Sequence, residues 1–138
     1  MTDERVAAGP GMPRSVRFAR RVFAVAGWYG IVVMLPQYFL EARIGRDYPP
    51  PIAHPEYFYG FIGVVLTWQA LFLLIARDPV RFRPAMIPAI LEKFVFAVPC
   101  IVLFLQHRLA LTTLVAALID VILFALFIIV YRMTRVTS

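Results

Sequence analysis

The sequence predicts an all-α membrane protein with four transmembrane helices in an up-down-up-down antiparallel bundle and both termini in the cytoplasm. Hydrophobic residues make up 62% of the 138-residue chain and charged residues only 16%, which is too few to cover a water-soluble globule. Four apolar runs approach the roughly 20 residues that a helix needs to cross a bilayer. The arginines cluster outside these runs, which gives the predicted bundle an inner and an outer end.

The predicted spans are residues 22–39, 57–76, 87–105 and 109–131. None of the runs alternates polar and apolar residues as a barrel strand would, and open strands would leave backbone groups unsatisfied in lipid. The links after the second and third runs are short, which favours antiparallel neighbours. Residues 1–15 contain two glycines and two prolines and are predicted to be a disordered N-terminal tail, followed by a transmembrane domain over 16–138.

The orientation follows from where the arginines lie. Ten fall at one set of ends and three, Arg43, Arg46 and Arg108, fall at the other. Cytoplasmic segments are enriched in Lys and Arg, so both termini are expected in the cytoplasm of a multi-pass protein of the bacterial inner membrane. The ten are Arg5, Arg14, Arg17, Arg20, Arg21, Arg77, Arg81, Arg83, Arg132 and Arg135.

Composition also limits the classes of function. The net charge of +6 is explained by the membrane surface, because the arginines alternate with apolar runs and form no basic face of a soluble fold. We therefore expect the lipid bilayer, and no nucleic acid, as the partner. Cys100 is the only cysteine, which excludes an intramolecular disulfide and a cysteine-based metal site. No phosphate loop, haem motif or nucleophile elbow occurs, so the cofactor is unknown and no catalytic or metal residue is assigned.

Three charged residues lie inside predicted spans, where charge is costly and therefore points to function. Asp120 is at the middle of the fourth span, while Glu92 and Lys93 follow Pro84 and Pro88 near the start of the third. In one interpretation, Lys93 extends to the headgroups and Glu92 benefits from the helix dipole. In the other, Lys93 reaches Asp120 in a buried network. Adjacent helix positions point about 100° apart, so Glu92 and Lys93 are not expected to pair directly.

A layer of polar and aromatic residues is predicted at the depth of Asp120, where Gln69 could donate a hydrogen bond to that carboxylate. The layer is interpreted either as ordinary interhelical hydrogen bonding or as the lining of a ligand pocket. Its members besides Glu92, Lys93 and Asp120 are Trp28, Tyr29, Thr67, Trp68 and Gln69.

A second candidate site lies at the outer mouth of the predicted bundle. It contains His54 and Glu56 on either side of Pro55, together with Glu41 and Tyr38. Imidazole and carboxylate can transfer protons or bind a metal. Aromatic residues also form belts at membrane interfaces, and an acid near a helix start commonly acts as a cap, so a solvated mouth is the alternative.

One local motif carries a family resemblance. Gly60-Phe61-Ile62-Gly63 leads into an apolar run that ends at Arg77-Asp78-Pro79-Val80-Arg81-Phe82-Arg83-Pro84. With four short spans and inward termini, the chain resembles the DoxX-like family of small bacterial membrane proteins. This resemblance implies an accessory role and assigns no functional residue.

These observations predict a non-enzymatic membrane protein that is an accessory subunit or binds an apolar ligand between its helices, such as a lipid, a quinone or a sterol-like molecule. One alternative is a membrane enzyme in which Asp120 and Glu92 carry out an isomerase-like proton shift on a lipid-like substrate. Glu92, Asp120 and Trp68 are similar in kind to the acids and Trp of sterol-isomerase-like EXPERA bundles. Another alternative is a small proton-coupled carrier that acts as a dimer. Whatever the function, a homodimer or a larger membrane complex is among the partners considered.

Overall fold

A computed structural model of the chain describes residues 11–135. All secondary-structure elements in this part are helical, and it contains no strand. Four helices in this part are long and apolar enough to cross a membrane. This confirms the number and the type of the predicted spans. The helices are α1 (Arg14–Met34), α2 (Glu41–Asp47), α3 (Pro55–Arg77), α4 (Met86–Leu105) and α5 (Leu111–Met133), with 3-10 turns at Leu35–Phe39 and Arg83–Ala85.

Proline sets both ends of α1. The helix begins at Arg14, directly after Pro13, whose ψ of 145° is extended. The predicted tail therefore ends earlier than expected, because its last two residues are helical; residues 1–10 lie outside the described part. At the other end, Pro36 has no backbone N–H to continue the hydrogen bonds of the α-helix, and the chain passes from Met34 into the 3-10 turn.

Two prolines lie at the start of α4. Pro84 lies in the 3-10 turn, and α4 begins at Met86. Pro88 then occupies the first turn, where backbone N–H groups have no partner within the helix, so its ring costs no hydrogen bond. Glu92 and Lys93 consequently lie about two turns inside the helix.

The short helix α2 was not predicted from the sequence. It begins at Glu41 and carries Arg46 in its last turn, so both charges complement the helix dipole. Arg43 and Asp47 add an exposed ion pair of 3.4 Å. The helix holds Glu41 near the start of α3.

The long helices pack as two pairs. α1 lies along α3 and α4 lies along α5, while α1 also contacts α5; the contact between α3 and α4 is much smaller. Three buried phenylalanines join the pairs. The ring of Phe23 is stacked on Phe127 at 4.2 Å between centroids, and Phe72 meets the edges of both at 6.0 and 5.2 Å. This aromatic centre lets three helices share one core.

Two glycines let α1 approach α3 closely. A Cβ at Gly27 would lie 2.8 Å from Leu73 side-chain atoms, and a Cβ at Gly30 would overlap the side chain of Gln69. Gly60 has nothing within 4 Å of such an atom. The close contact between these helices therefore depends on the glycines of α1, as is common between helices in lipid.

Arginines fix contacts at one end of the bundle. Arg20 Nε donates to the Ala76 carbonyl at 3.1 Å, which joins the start of α1 to the end of α3. Arg83 Nη2 donates to the Tyr131 carbonyl at 3.0 Å, and its guanidinium lies 3.8 Å from the Tyr131 ring centroid. These bonds satisfy carbonyl groups at helix C-termini that have no partner of their own.

Candidate functional site

The charged residues of the spans meet in one buried cluster. Lys93 Nζ lies 3.0 Å from Asp120 Oδ1 and 3.1 Å from Glu92 Oε2. The exposed fractions are 5% for Lys93 and 8% for Asp120. We call Glu92, Lys93 and Asp120 the charged cluster. It joins α4 to α5 inside the bundle.

Lys93 points inward because of its place on α4. The buried residues Ala89, Lys93, Ala97 and Cys100 recur at spacings of three and four and form the inner face of the helix. The neighbouring alanines are small and leave space for the long side chain. The interpretation in which Lys93 extends to the headgroups is therefore wrong, and the structure shows the pairing with Asp120.

The ammonium group has a third neighbour that was not identified from the sequence. Lys93 Nζ lies 5.2 Å from the ring centroid of Phe72 on α3, within the range of a cation–π interaction. Phe72 is fully buried, so water does not reach its ring. Its position three residues after Gln69 places both on one face of α3, a spacing that is visible in the sequence.

Glu92 also pairs with Lys93, although the two are adjacent on the helix. The expectation that they would not pair is wrong, because the lysine side chain is long enough to reach back toward its neighbour. Glu92 Oε2 is buried and accepts no hydrogen bond from any of residues 11–135. The ammonium therefore meets this oxygen as a charge, and the oxygen retains unused lone pairs.

The cluster contains two carboxyl groups and one ammonium. With all three ionised its net charge is −1, and a surplus charge in a medium of low dielectric is costly. Asp120 and Lys93 neutralise each other at 3.0 Å. Glu92 is therefore the member with capacity to bind a further donor or cation.

The polar residues of α3 divide between two directions. Gln69 is buried, and its Nε2 donates to the Val65 carbonyl of its own helix at 3.1 Å; it makes no hydrogen bond to Asp120 within residues 11–135. Thr67 is exposed and donates to the Gly63 carbonyl at 3.0 Å. Trp68 is half-buried, with its ring 6.5 Å from that of Phe72. Trp68 therefore lies beside the ring that faces Lys93 Nζ.

The aromatic residues of α1 are also separated. Tyr29 is half-buried. Trp28 is 60% exposed and points away from the bundle. The predicted layer is therefore not one lined pocket, since Trp28 and Thr67 face outward.

The residues of the outer mouth form two small groups. Tyr59 donates to Glu41 Oε2 at 2.6 Å, and its ring is stacked on Tyr38 at 5.9 Å. His54 Nδ1 lies 3.1 Å from Glu56 Oε1, and both side chains are mostly exposed. Within residues 11–135, no group of three or more His, Cys, Asp or Glu side chains could hold a metal ion.

One outer contact joins distant parts of the chain. The hydroxyl groups of Tyr48 and Thr112 lie 3.0 Å apart, which links the segment after α2 to the first turn of α5. Neither residue was singled out in the sequence, and no spacing pattern points to the pair. The outer mouth is thus held by tyrosine hydroxyl groups.

Fold and site together define a class of protein. Four helices long and apolar enough to cross a bilayer, with a charged cluster inside the bundle, fit a small multi-pass integral membrane protein. No family model, curated protein or solved structure matches the chain. Its function is therefore argued from its own residues.

Proposed function

We propose that the four spans run up-down-up-down as an antiparallel bundle in a bacterial inner membrane, with both termini in the cytoplasm. The ten-to-three distribution of arginines supports this orientation. The bonds from Arg20 to Ala76 and from Arg83 to Tyr131 support antiparallel neighbours, because each joins the start of one long helix to the end of another. Reporter fusions at the two termini test the proposal, and a result with the termini on opposite faces would contradict it.

Within that bundle, we propose that the protein is a non-enzymatic binder of an apolar small molecule, such as a lipid, a quinone or a sterol-like molecule, between α3 and α4. The observation that carries this proposal is the buried Glu92 Oε2 atom, which accepts no hydrogen bond within residues 11–135. Its polar neighbour at 3.1 Å, the Lys93 ammonium, is shared with Asp120, so the oxygen keeps lone pairs that a donor group on a ligand could occupy.

The position of Glu92 indicates from which side such a molecule would come. Phe96 follows Glu92 by one turn and therefore shares its side of α4, and its ring is stacked on Phe61 of α3 at 6.3 Å. Glu92 thus faces α3, with which α4 has far less contact than with α5. Trp68 lies two turns after Phe61 on the same side of α3. We call this boundary the α3–α4 seam.

The chemistry of the seam limits the ligand. Its aromatic rings suit an apolar body, and the carboxyl group of Glu92 suits a hydroxyl, amine or other donor on that body. A ligand with a carboxylate or phosphate at the same depth would meet repulsion from Glu92. We therefore expect a neutral or cationic amphiphile.

The enzyme alternative has less support from this geometry. An isomerase-like proton shift needs one carboxylic acid to donate and a second group to accept at separate positions on the substrate. Here Glu92 and Asp120 contact the same ammonium at 3.1 and 3.0 Å. The two acids are therefore held around Lys93, and no described space separates them for a substrate.

Native mass spectrometry from mild detergent tests the binding proposal. We expect Glu92→Gln to weaken retention of a co-purifying small molecule by roughly tenfold or more, since a hydrogen bond to a charged group contributes about 1.5–3 kcal/mol. Glu56→Gln is the matched control, because it removes an exposed acid at the start of α3 and should leave retention unchanged.

Two results would contradict the proposal. One is equal retention by the wild type and Glu92→Gln. The other is a protein that carries no small molecule and instead purifies with a constant partner, or as a homodimer stable without ligand. That second result would favour the accessory-subunit function, which the DoxX-like resemblance also implies.

A further inference from the structure

The outward face of α1 combines two different surfaces in one line. Its first part carries Arg14, Arg17, Phe18 and Arg21, and its second part carries Ala24, Val25, Trp28 and Val32. Apart from the adjacent pairs at 17/18 and 24/25, successive members are three or four residues apart, so they lie on one side of the helix. We call the eight residues the α1 stripe.

Each part of the α1 stripe forms an open groove. The arginine part is a shallow, open depression of about 380 Å³, and the apolar part, which Tyr29 also lines, is a still more open one of about 430 Å³. Val25, Trp28 and Val32 are 67, 60 and 69% exposed. The helix therefore presents a cationic groove that continues into an apolar one.

The three arginines of the stripe are exposed, whereas Arg20, the neighbour of Arg21 in the sequence, is partly buried. Arg20 turns toward the bundle and donates to the Ala76 carbonyl. Arg14, Arg17 and Arg21 are exposed and take part in none of the ion pairs formed within residues 11–135. Three guanidinium groups on adjacent turns suit a phosphate, which arginine binds with paired N–H donors.

The dimensions of the stripe match half a bilayer. From Arg21 to Val32 the helix rises about 16 Å, and one leaflet contributes about 15 Å of hydrocarbon. With the arginines at the interface, the apolar part covers the depth of a single acyl chain. Trp28 supplies a broad ring beside that path.

We propose that the α1 stripe binds one anionic phospholipid, with its phosphate on Arg14, Arg17 and Arg21 and an acyl chain along Val25, Trp28 and Val32. A lipid fits better than a second copy of the chain, because a two-fold contact through this face would bring the same arginines together. The site is independent of Glu92 and of the α3–α4 seam.

Lipid titration followed by native mass spectrometry tests the proposal. The purified protein in mild detergent is titrated with phosphatidylglycerol and, separately, with phosphatidylcholine of the same acyl chains. The wild type should retain phosphatidylglycerol preferentially. Arg14→Gln/Arg17→Gln/Arg21→Gln should weaken that binding by roughly a hundredfold, on the basis of about one factor of five per arginine near an anionic lipid.

The control removes the same charge from the other end of the bundle. Arg43→Gln/Arg46→Gln/Arg108→Gln lowers the net charge equally and should leave phosphatidylglycerol binding within about twofold of the wild type. If the two triple variants lose binding equally, general attraction between charges explains the lipid and the proposal fails. It also fails if the wild type binds both lipids equally.

Two further arms keep the test decisive. The single variant Arg17→Gln, which perturbs the helix less, should weaken binding roughly fivefold in protein that elutes like the wild type on gel filtration. Inorganic phosphate should not displace the lipid, because it lacks the acyl chain. Displacement by inorganic phosphate at concentrations similar to those of the lipid would show a simple phosphate site and overturn the assignment.

Discussion

The two helix pairs of this protein are held together by different physical means. In the α1–α3 pair, Gly27 and Gly30 allow close approach, and Gln69 fills the space beside Gly30. In the α4–α5 pair, the ion pair between Lys93 and Asp120 joins the helices at 3.0 Å. The first contact depends on shape and the second on charge.

The difference shows how helices associate where the surrounding lipid is as apolar as the side chains. Apolar burial alone gives little attraction in that solvent, so association needs close packing or polar contacts. A contact through shape tolerates small adjustments of neighbouring side chains. A buried ion pair does not tolerate the loss of either partner, because the remaining charge is then uncompensated.

The largest effect is expected from Lys93→Met, which removes the ammonium between two buried carboxyl groups. We expect a loss of about 3–5 kcal/mol in the free energy of unfolding, because Glu92 and Asp120 remain without a countercharge. Reversible unfolding in detergent, followed by circular dichroism, measures this loss.

A double-mutant cycle with Asp120→Asn sharpens the result. The double variant should be more stable than the sum of the single losses predicts, by about 0.5–3 kcal/mol, if the two residues interact directly. Additive losses would show that Lys93 and Asp120 stabilise the bundle separately, and the contrast between the two pairs would disappear.

An intermediate effect is expected from Gly30→Ala. The added Cβ must displace Gln69, whose Cγ would lie only 2.7 Å away, so we expect a loss of about 1–3 kcal/mol in the free energy of unfolding. Gly60→Ala is the control, since it brings the same gain in helix propensity with no neighbour within 4 Å. Equal stability of the two variants, measured by the same unfolding assay, would contradict control of this contact by shape.

The smallest effect is expected from Gln69→Leu. Within residues 11–135 the amide of Gln69 donates only to its own helix, and leucine has a similar volume, so the free energy of unfolding should change by about 1 kcal/mol or less. A loss close to that of Lys93→Met would show that Gln69 belongs to the charged cluster. The comparison uses the same detergent and the same unfolding signal for all variants.

Much of the fold could be predicted because the solvent selects it. Runs of about 20 apolar residues predict helices in lipid, and α3 at Pro55–Arg77 begins and ends within two residues of its predicted span. The error at α1, which begins at Arg14, has a simple cause. Hydropathy detects where the apolar run starts, whereas the helix continues through arginines beyond the hydrocarbon.

The candidate site could be predicted only as a set of residues at one depth. Asp120, Glu92 and Lys93 were identified because charge within an apolar run is conspicuous. Their partners depend on how the helices are rotated about their axes. The rotation of α1 about its axis directs Trp28 outward, and that of α3 directs Phe72 toward Lys93. The spacing of residues within a single helix does not determine these rotations.

The sequence by itself determined the solvent and the number of spans, because both depend on hydrophobic content summed over about 20 residues. It also placed three charges within the spans. Only the tertiary structure decided that Lys93 turns inward between Glu92 and Asp120, because that choice depends on the small alanines beside it and on atoms of two other helices. Local composition determines which medium a segment occupies, whereas contacts between distant segments determine which groups meet there.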